Sequence, residues 1–210
     1  WGLLQCKMKS LVFVAILLVI GQNFCEGKIH VTVYYESLCP DSIRFISNQL
    51  YPNVQDPGLK DYIDILFVPF GKSSSSANGD KVNFVCQHGP AECEGNRMQS
   101  CVLHQIPDRA DDQLNFVACQ MNFRAEDSGR ICAISSSVDW QSVRSCHEGS
   151  LGTELQLAAE ELTNEVLPQT NFVPTIVFNH VFDKTLHQRA LTEFRTVACE
   201  LLKYEPQACH

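Results

Sequence analysis

The chain has 210 residues, a formal net charge of −8 and eleven cysteines. An acidic balance of this size argues against a nucleic-acid partner and against an anionic membrane surface. The cysteine density argues against a reducing compartment and for a fold stapled by disulfides.

The N-terminal stretch begins at Trp1, with Met8-Lys9 followed by the apolar run Leu11 to Ile20. A short basic start, about ten apolar residues and then small or polar residues is the layout of a signal peptide. A membrane span needs roughly 20 such residues. Residues 1–27 are therefore expected to be upstream sequence and a signal peptide, and residues 28–210 a single domain. No second apolar run of membrane length follows, so no membrane association is expected after cleavage. Cleavage beyond Cys25 leaves nine cysteines: Cys39, Cys86, Cys93, Cys101, Cys119, Cys132, Cys146, Cys199 and Cys209. Nine is odd, so one thiol stays out of any set of internal bridges. Eight cysteines pair in 105 ways, and spacing does not choose among them.

In chain order, Ile29 to Tyr35 alternates and is rich in β-branched and aromatic residues, which predicts a strand. Cys39-Pro40 follows, and Ile43, Phe45, Ile46 and Leu50 recur at helical spacing. Pro40 suits a first helical position, so Cys39 falls at the N-cap of a helix fed by a strand. Pro52 and Pro57-Gly58 end that helix. Tyr62 to Phe70 predicts a second strand, and the serine-rich Gly71 to Gly79 a loop. From about residue 82 to 165 a helical insertion carries six cysteines. In it, Leu114, Val117, Ala118 and Met121 share one face, as do Leu151, Leu155, Ala158, Leu162 and Val166. Asn171 to Phe178 reads as a strand with Pro174 inside it, then a turn at Asn179-His180 and a short return strand at Val181-Phe182. Leu186 to Tyr204 is a closing helix. A β-α-β unit and a β-β-α unit around a helical insertion place the chain in the α/β class.

Cys39 is the candidate reactive thiol. Exchange with a disulfide needs the thiolate, and the free N–H groups of a helix start favour the anion. Asp41 opposes this but can turn to solvent. The alternative is that Cys39 is a ninth structural cysteine. In Cys39-Pro40-Asp41-Ser42 the hydroxyl of Ser42 can donate to a thiolate but cannot resolve a mixed disulfide. Resolution then falls to an external small thiol, to the leaving substrate thiol or to another cysteine of this chain, with no bound cofactor. Pro within a strand removes a ladder donor and is unusual, which marks Pro174 as a candidate site residue. Cys86, His88, Cys93 and Cys101 could hold zinc, although an oxidising compartment favours disulfides. A thiol or hydroxyl with His88 could imitate a hydrolase pair, with nothing else to support it.

Residues 86–101 read CQHGPAECEGNRMQSC. This resembles the signature of the gamma-interferon-inducible lysosomal thiol reductase family, matching at Cys86, Gln87, His88, Gly89, Glu92, Cys93, Asn96 and Cys101. The resemblance extends from the strand before Cys39 to the last helix. It implies a thioredoxin-like fold with a disulfide-rich helical insertion, a cis Pro174 beside Cys39, and a thiol reductase acting on disulfide-bonded proteins. Cys39 and Ser42 fall on the family's dithiol positions, so the resolving cysteine is replaced. The signature itself is expected to be structural. Mammalian members of the family reach lysosomes through N-glycans, and this chain holds no Asn-x-Ser/Thr sequence, so secretion and endosomal or lysosomal delivery are both expected destinations. A non-catalytic secreted binding protein that keeps the fold is the competing reading.

Overall fold

A computed structural model describes residues 27–79, 81–122 and 128–210. The expected signal peptide lies outside the described residues. Among these residues, five strands and eight α-helices follow in order. They are β1 (Ile29–Tyr35), α1 (Pro40–Phe45), α2 (Tyr51–Val54), β2 (Ile63–Pro69), β3 (Ser74–Asn78), β4 (Lys81–Val85), α3 (Pro90–Gln105), α4 (Ala110–Asn122), α5 (Ser128–Ser135), α6 (Trp140–Glu148), α7 (Ser150–Thr170), β5 (Thr175–Phe178) and α8 (Lys184–Leu201). A π-helical turn, Ile46–Leu50, joins α1 to α2.

β1 is the central strand of a three-stranded sheet. It runs parallel to β2, with Ile29 opposite Ile63 and Tyr35 opposite Pro69. It runs antiparallel to β5, with Val31 opposite Phe178 and Tyr34 opposite Thr175. Every β1 residue but His30 is buried, as a strand covered on both faces requires. On one face Val31, Val33 and Tyr35 join Phe45, Ile46 and Leu50 with Phe194 and Val197 of α8 in the main core. On the other, Tyr34, Val68 and Val177 pack against Ala159 of α7.

Eight cysteines form four bridges: Cys86–Cys93, Cys101–Cys146, Cys119–Cys132 and Cys199–Cys209. Cys101–Cys146 spans 45 residues and ties α3 to α6. A crosslink of that span removes about 4 kcal/mol of chain entropy from the unfolded state, against roughly 2.5 for the seven-residue Cys86–Cys93 loop. Three of the four candidate zinc ligands are thus consumed in disulfides.

Several expectations need correction. The serine-rich segment is not a loop: Ser74–Asn78 forms β3 and pairs antiparallel with β4. Serine is a weak strand former, but Glu160 accepts from both the Ser75 N–H and its hydroxyl, and Phe84 of β4 stacks edge-on against Phe70. The helical insertion therefore starts at Pro90, beyond this hairpin, and ends at Thr170. The strand expected over Asn171 to Phe178 begins only at Thr175, after Pro174. Val181 makes an isolated bridge to Phe178 and no return strand. The closing helix ends at Leu201, and Lys203 and Tyr204 adopt left-handed backbone.

The face of α4 is buried as expected, through Leu114, Val117, Ala118 and Met121. α7 is rotated by one residue. It buries Gly152, Gln156, Ala159 and Thr163 and leaves Leu151 and Leu162 exposed. Shape decides this. A Cβ at Gly152 would sit 2.7 Å from the Cys146 carbonyl, so α7 and α6 touch backbone to backbone. The Gln156 amide donates to the Pro69 carbonyl (3.1 Å) and to Ser100 Oγ (2.8 Å), crosslinking α7 to β2 and α3.

Candidate active site

β1 ends against a short loop, Glu36–Cys39, that delivers Cys39 to the start of α1. The Cys39 carbonyl accepts the first helical hydrogen bond, from the Ile43 N–H at 3.0 Å. Pro40 occupies the first helical position, where a missing N–H costs nothing. Cys39 is the one free cysteine among the described residues and is buried, 7 % exposed. Its thiol donates to the Val173 carbonyl across 3.7 Å. The Val173–Pro174 peptide bond is cis, so Pro174 lies beside Cys39 as the resemblance implies. Asp41 is turned away and paired with Arg44 at 2.9 Å.

Ser42 is fully buried one turn into the helix. Its hydroxyl oxygen accepts from the Glu36 N–H at 3.4 Å. A hydrogen bond from Ser42 to Cys39, which the hydroxyl is able to make, is not formed: the thiol donates to Val173 and the Ser42 oxygen accepts from Glu36.

The loop before Cys39 is clamped to the signature segment on α3. The Ser37 N–H donates to Asn96 Oδ1 (2.9 Å), and the Ser37 hydroxyl to the Glu92 carbonyl (3.1 Å). A Cβ at Gly95 would meet Ser37 Oγ at 2.5 Å, so only glycine allows this approach. The clamp brings His88 over the thiol. An imidazole nitrogen of His88, a carboxylate oxygen of Glu36 and Cys39 Sγ lie within 4.8 Å of one another. Glu92, fully buried, accepts from the His88 backbone N–H (3.1 Å) and holds Nδ1 at 2.6 Å. His88 Nδ1 also stands 3.3 Å from Glu36 Oε2. One ring N–H serves one acceptor, so Glu92 takes it and Glu36 Oε2 is left without a hydrogen bond.

Glu36 is fully buried, with the Lys72 N–H donating to its other oxygen at 2.7 Å. Burial raises its pKa above the ordinary carboxylate value and the Glu92 charge adds to this; the Lys72 hydrogen bond, His88 and the Lys72 charge oppose it. A carboxyl with a raised folded-state pKa contributes stability that is complete below its unfolded pKa and is lost as pH rises through the folded value. Glu36→Gln imitates the protonated form at every pH. Its melting temperature relative to wild type should therefore increase from about pH 4 to about pH 7. A constant offset in calorimetry at the two pH values would contradict the assignment.

Sequence reasoning singled out Cys39, Ser42 and Pro174, and the fold brings all three to one end of β1. Glu36 and Glu92 were not singled out as site groups. The hint for Glu36 was a carboxylate three residues before the reactive thiol, next to a strand end. A groove of about 510 Å³ lies elsewhere. It runs between β1–β2 and α3–α7, lined by Leu66, Leu103, Leu155 and Leu162 among others, and none of Cys39, Ser42 and His88 lines it. A reaction at a protein disulfide needs an accessible sulfur and not a deep cavity, so the thiol cluster is the better candidate.

Two solved structures share the fold: BdbD from Bacillus subtilis (13 % identity, TM-score 0.57, 85 % of this chain and 90 % of that one) and DsbA from Chlamydia trachomatis (14 %, TM-score 0.52, 80 % and 87 %). The fold is thus thioredoxin-like with a helical insertion. Two curated relatives are a gamma-interferon-inducible lysosomal thiol reductase-like protein of Anopheles gambiae (34 % identical, 96 % of this chain and 87 % of that protein) and GILT-like protein 1 of Drosophila melanogaster (33 %, 91 % and 82 %). A family model described as Gamma interferon inducible lysosomal thiol reductase (GILT) matches residues 30–147, more than half of the sequence. The signature around His88, the strand–Cys–Pro–helix site and these matches converge, and the chain belongs to the gamma-interferon-inducible lysosomal thiol reductase family.

Proposed function

We propose that this chain is a thiol–disulfide oxidoreductase acting on protein disulfides through Cys39, in the extracellular space or the endosomal and lysosomal lumen. The observation that carries the reading is that Cys39, alone among the described cysteines, stays out of the bridges and stands at a helix start, with its thiol on the carbonyl of Val173, the residue before cis Pro174. Cys39 thiolate attacks a substrate disulfide, forming a mixed disulfide and releasing one substrate thiol. A small-molecule thiol attacks the Cys39 sulfur and releases the second substrate thiol. A further small thiol then frees Cys39 and leaves as a disulfide. Substrate gains two electrons and two small thiols lose them. Four bridges support an oxidising compartment.

Ser42 favours a second reading, a binding protein that keeps the fold without turnover. Acid quenching of a reaction with a disulfide-bonded protein, followed by peptide mapping, separates the two. The expected result is substrate linked to Cys39 and release on adding a small thiol. Binding that survives Cys39→Ala, with no linked species, would support the second reading.

A further inference from the structure

We infer that His88, oriented by Glu92, is the proton-transfer partner of Cys39, which makes the Cys86–Cys101 signature part of the reacting centre. The inference rests on Cys39 being the attacking thiol. An imidazole nitrogen within 4.8 Å of Sγ is within reach through one water or a small rotation of the thiol away from Val173. Glu92 is the orienting group. By holding the proton on Nδ1 at 2.6 Å, it leaves Nε2 with the lone pair that accepts a second proton. The same carboxylate binds the His88 backbone N–H, so ring and main chain are fixed together. The His88 side chain is 30 % exposed, on the open side where a substrate thiolate departs. The arrangement of nucleophile, imidazole and buried carboxylate follows the logic of an activated nucleophile.

The surroundings give the signature residues a purpose in this reading. Cys86–Cys93 closes the loop that carries both His88 and Glu92. Ser37, bonded to Asn96 and Glu92, locks that loop to the segment ending in Cys39. Of the other proton carriers nearby, Asp41 is paired with Arg44 and the Ser42 oxygen accepts from the Glu36 N–H; a Glu36 carboxylate oxygen also lies within 4.8 Å of Sγ, with Oε2 unpaired, and the loss expected on His88→Ala is what separates the imidazole from that carboxyl.

The step balances. Neutral His88 takes the Cys39 S–H proton as the sulfur attacks the nearer sulfur of the substrate disulfide. The new S–S bond forms, the substrate S–S bond breaks, and the leaving thiolate takes the proton back from the imidazolium. In the second half, the incoming small thiol gives its proton to His88, which passes it to the departing substrate thiolate.

The test is the second-order rate of Cys39 alkylation by iodoacetamide, followed by intact mass. His88→Ala should slow it by roughly 100-fold, the low end of general-base effects. Millimolar imidazole should restore much of the loss in His88→Ala and leave wild type unchanged. Glu92→Gln should slow it by about tenfold without rescue. Where the disulfide map of His88→Ala departs from wild type, His88→Gln carries the test, since an amide keeps a bond to Glu92 but accepts no proton. An alkylation rate within twofold of wild type overturns the inference. So does a slow variant with native disulfides that imidazole does not rescue. A wild-type Cys39 that does not alkylate overturns both this inference and the reading it rests on; a reactive wild type with an unaffected variant overturns this inference alone.

Discussion

Cys39→Ala should abolish covalent capture of substrate and lower disulfide reduction, above the small-thiol background, by at least about a thousandfold. The magnitude follows from the absence of a substitute. Every other cysteine among the described residues is in a bridge, and a hydroxyl such as Ser42 does not perform thiol–disulfide exchange. Stability should barely change. The thiol makes one weak hydrogen bond, to Val173, and its truncation belongs with changes of about 1 kcal/mol or less. A melting curve and a protein-disulfide reduction assay on the same preparation therefore separate loss of chemistry from loss of fold. Retained activity would mean that a bridge is opening to react. Cys86–Cys93 would be the first to map, because both of its sulfurs belong to partly exposed residues while each other bridge has at least one buried cysteine.

What the sequence revealed and what it hid follow one division. β1, β2, the α1 start and the buried face of α4 rest on local patterns, so their residues announce them. α7 does not. Its apolar stripe suggested Leu151, Leu155 and Leu162, yet the packed seam is Gly152, Gln156, Ala159 and Thr163, because close helix approach and a buried amide outweighed the burial of leucine. β3 was hidden for a related reason: its serines owe their order to Glu160, 85 residues along the chain. The site divides the same way. Cys39, Ser42 and the cis Pro174 could be anticipated from a strand–Cys–Pro–helix pattern and a family resemblance. The Glu36–His88–Glu92 contact could not, since Glu36 and His88 are 52 positions apart and meet only because Ser37 docks on α3. The histidine of a signature expected to be structural thus lies within 4.8 Å of the thiol, and three of the residues that could have held zinc are in disulfides, as an oxidising compartment favours.

Ser42→Cys is the substitution expected to add most. Residues 39 and 42 are the N-cap and third helical positions, three apart, and share a face of the helix. A cysteine at 42 would attack the mixed disulfide from within the molecule. The bimolecular step that the wild type needs would then run at an effective concentration of mM or well above. With small thiol limiting, turnover should rise on the order of 10- to 100-fold. Thiol titration of the oxidised protein should find none, where wild type shows Cys39. The variant has a cost. Ser42 Oγ accepts from the Glu36 N–H at a fully buried position, and sulfur is a weaker acceptor, so about 1 kcal/mol of stability should be lost. That cost is informative, because it weakens the strand-end loop carrying Glu36 without touching Cys39, His88 or Glu92. If the 39–42 disulfide forms, the fold melts cooperatively and turnover still does not rise, then no substrate disulfide is reaching Cys39. The thiol would then serve a binding protein, and the replaced cysteine would mark lost chemistry. If turnover rises as expected, the rest of the site is intact, and the wild-type serine makes each cycle depend on the supply of small thiol in its compartment.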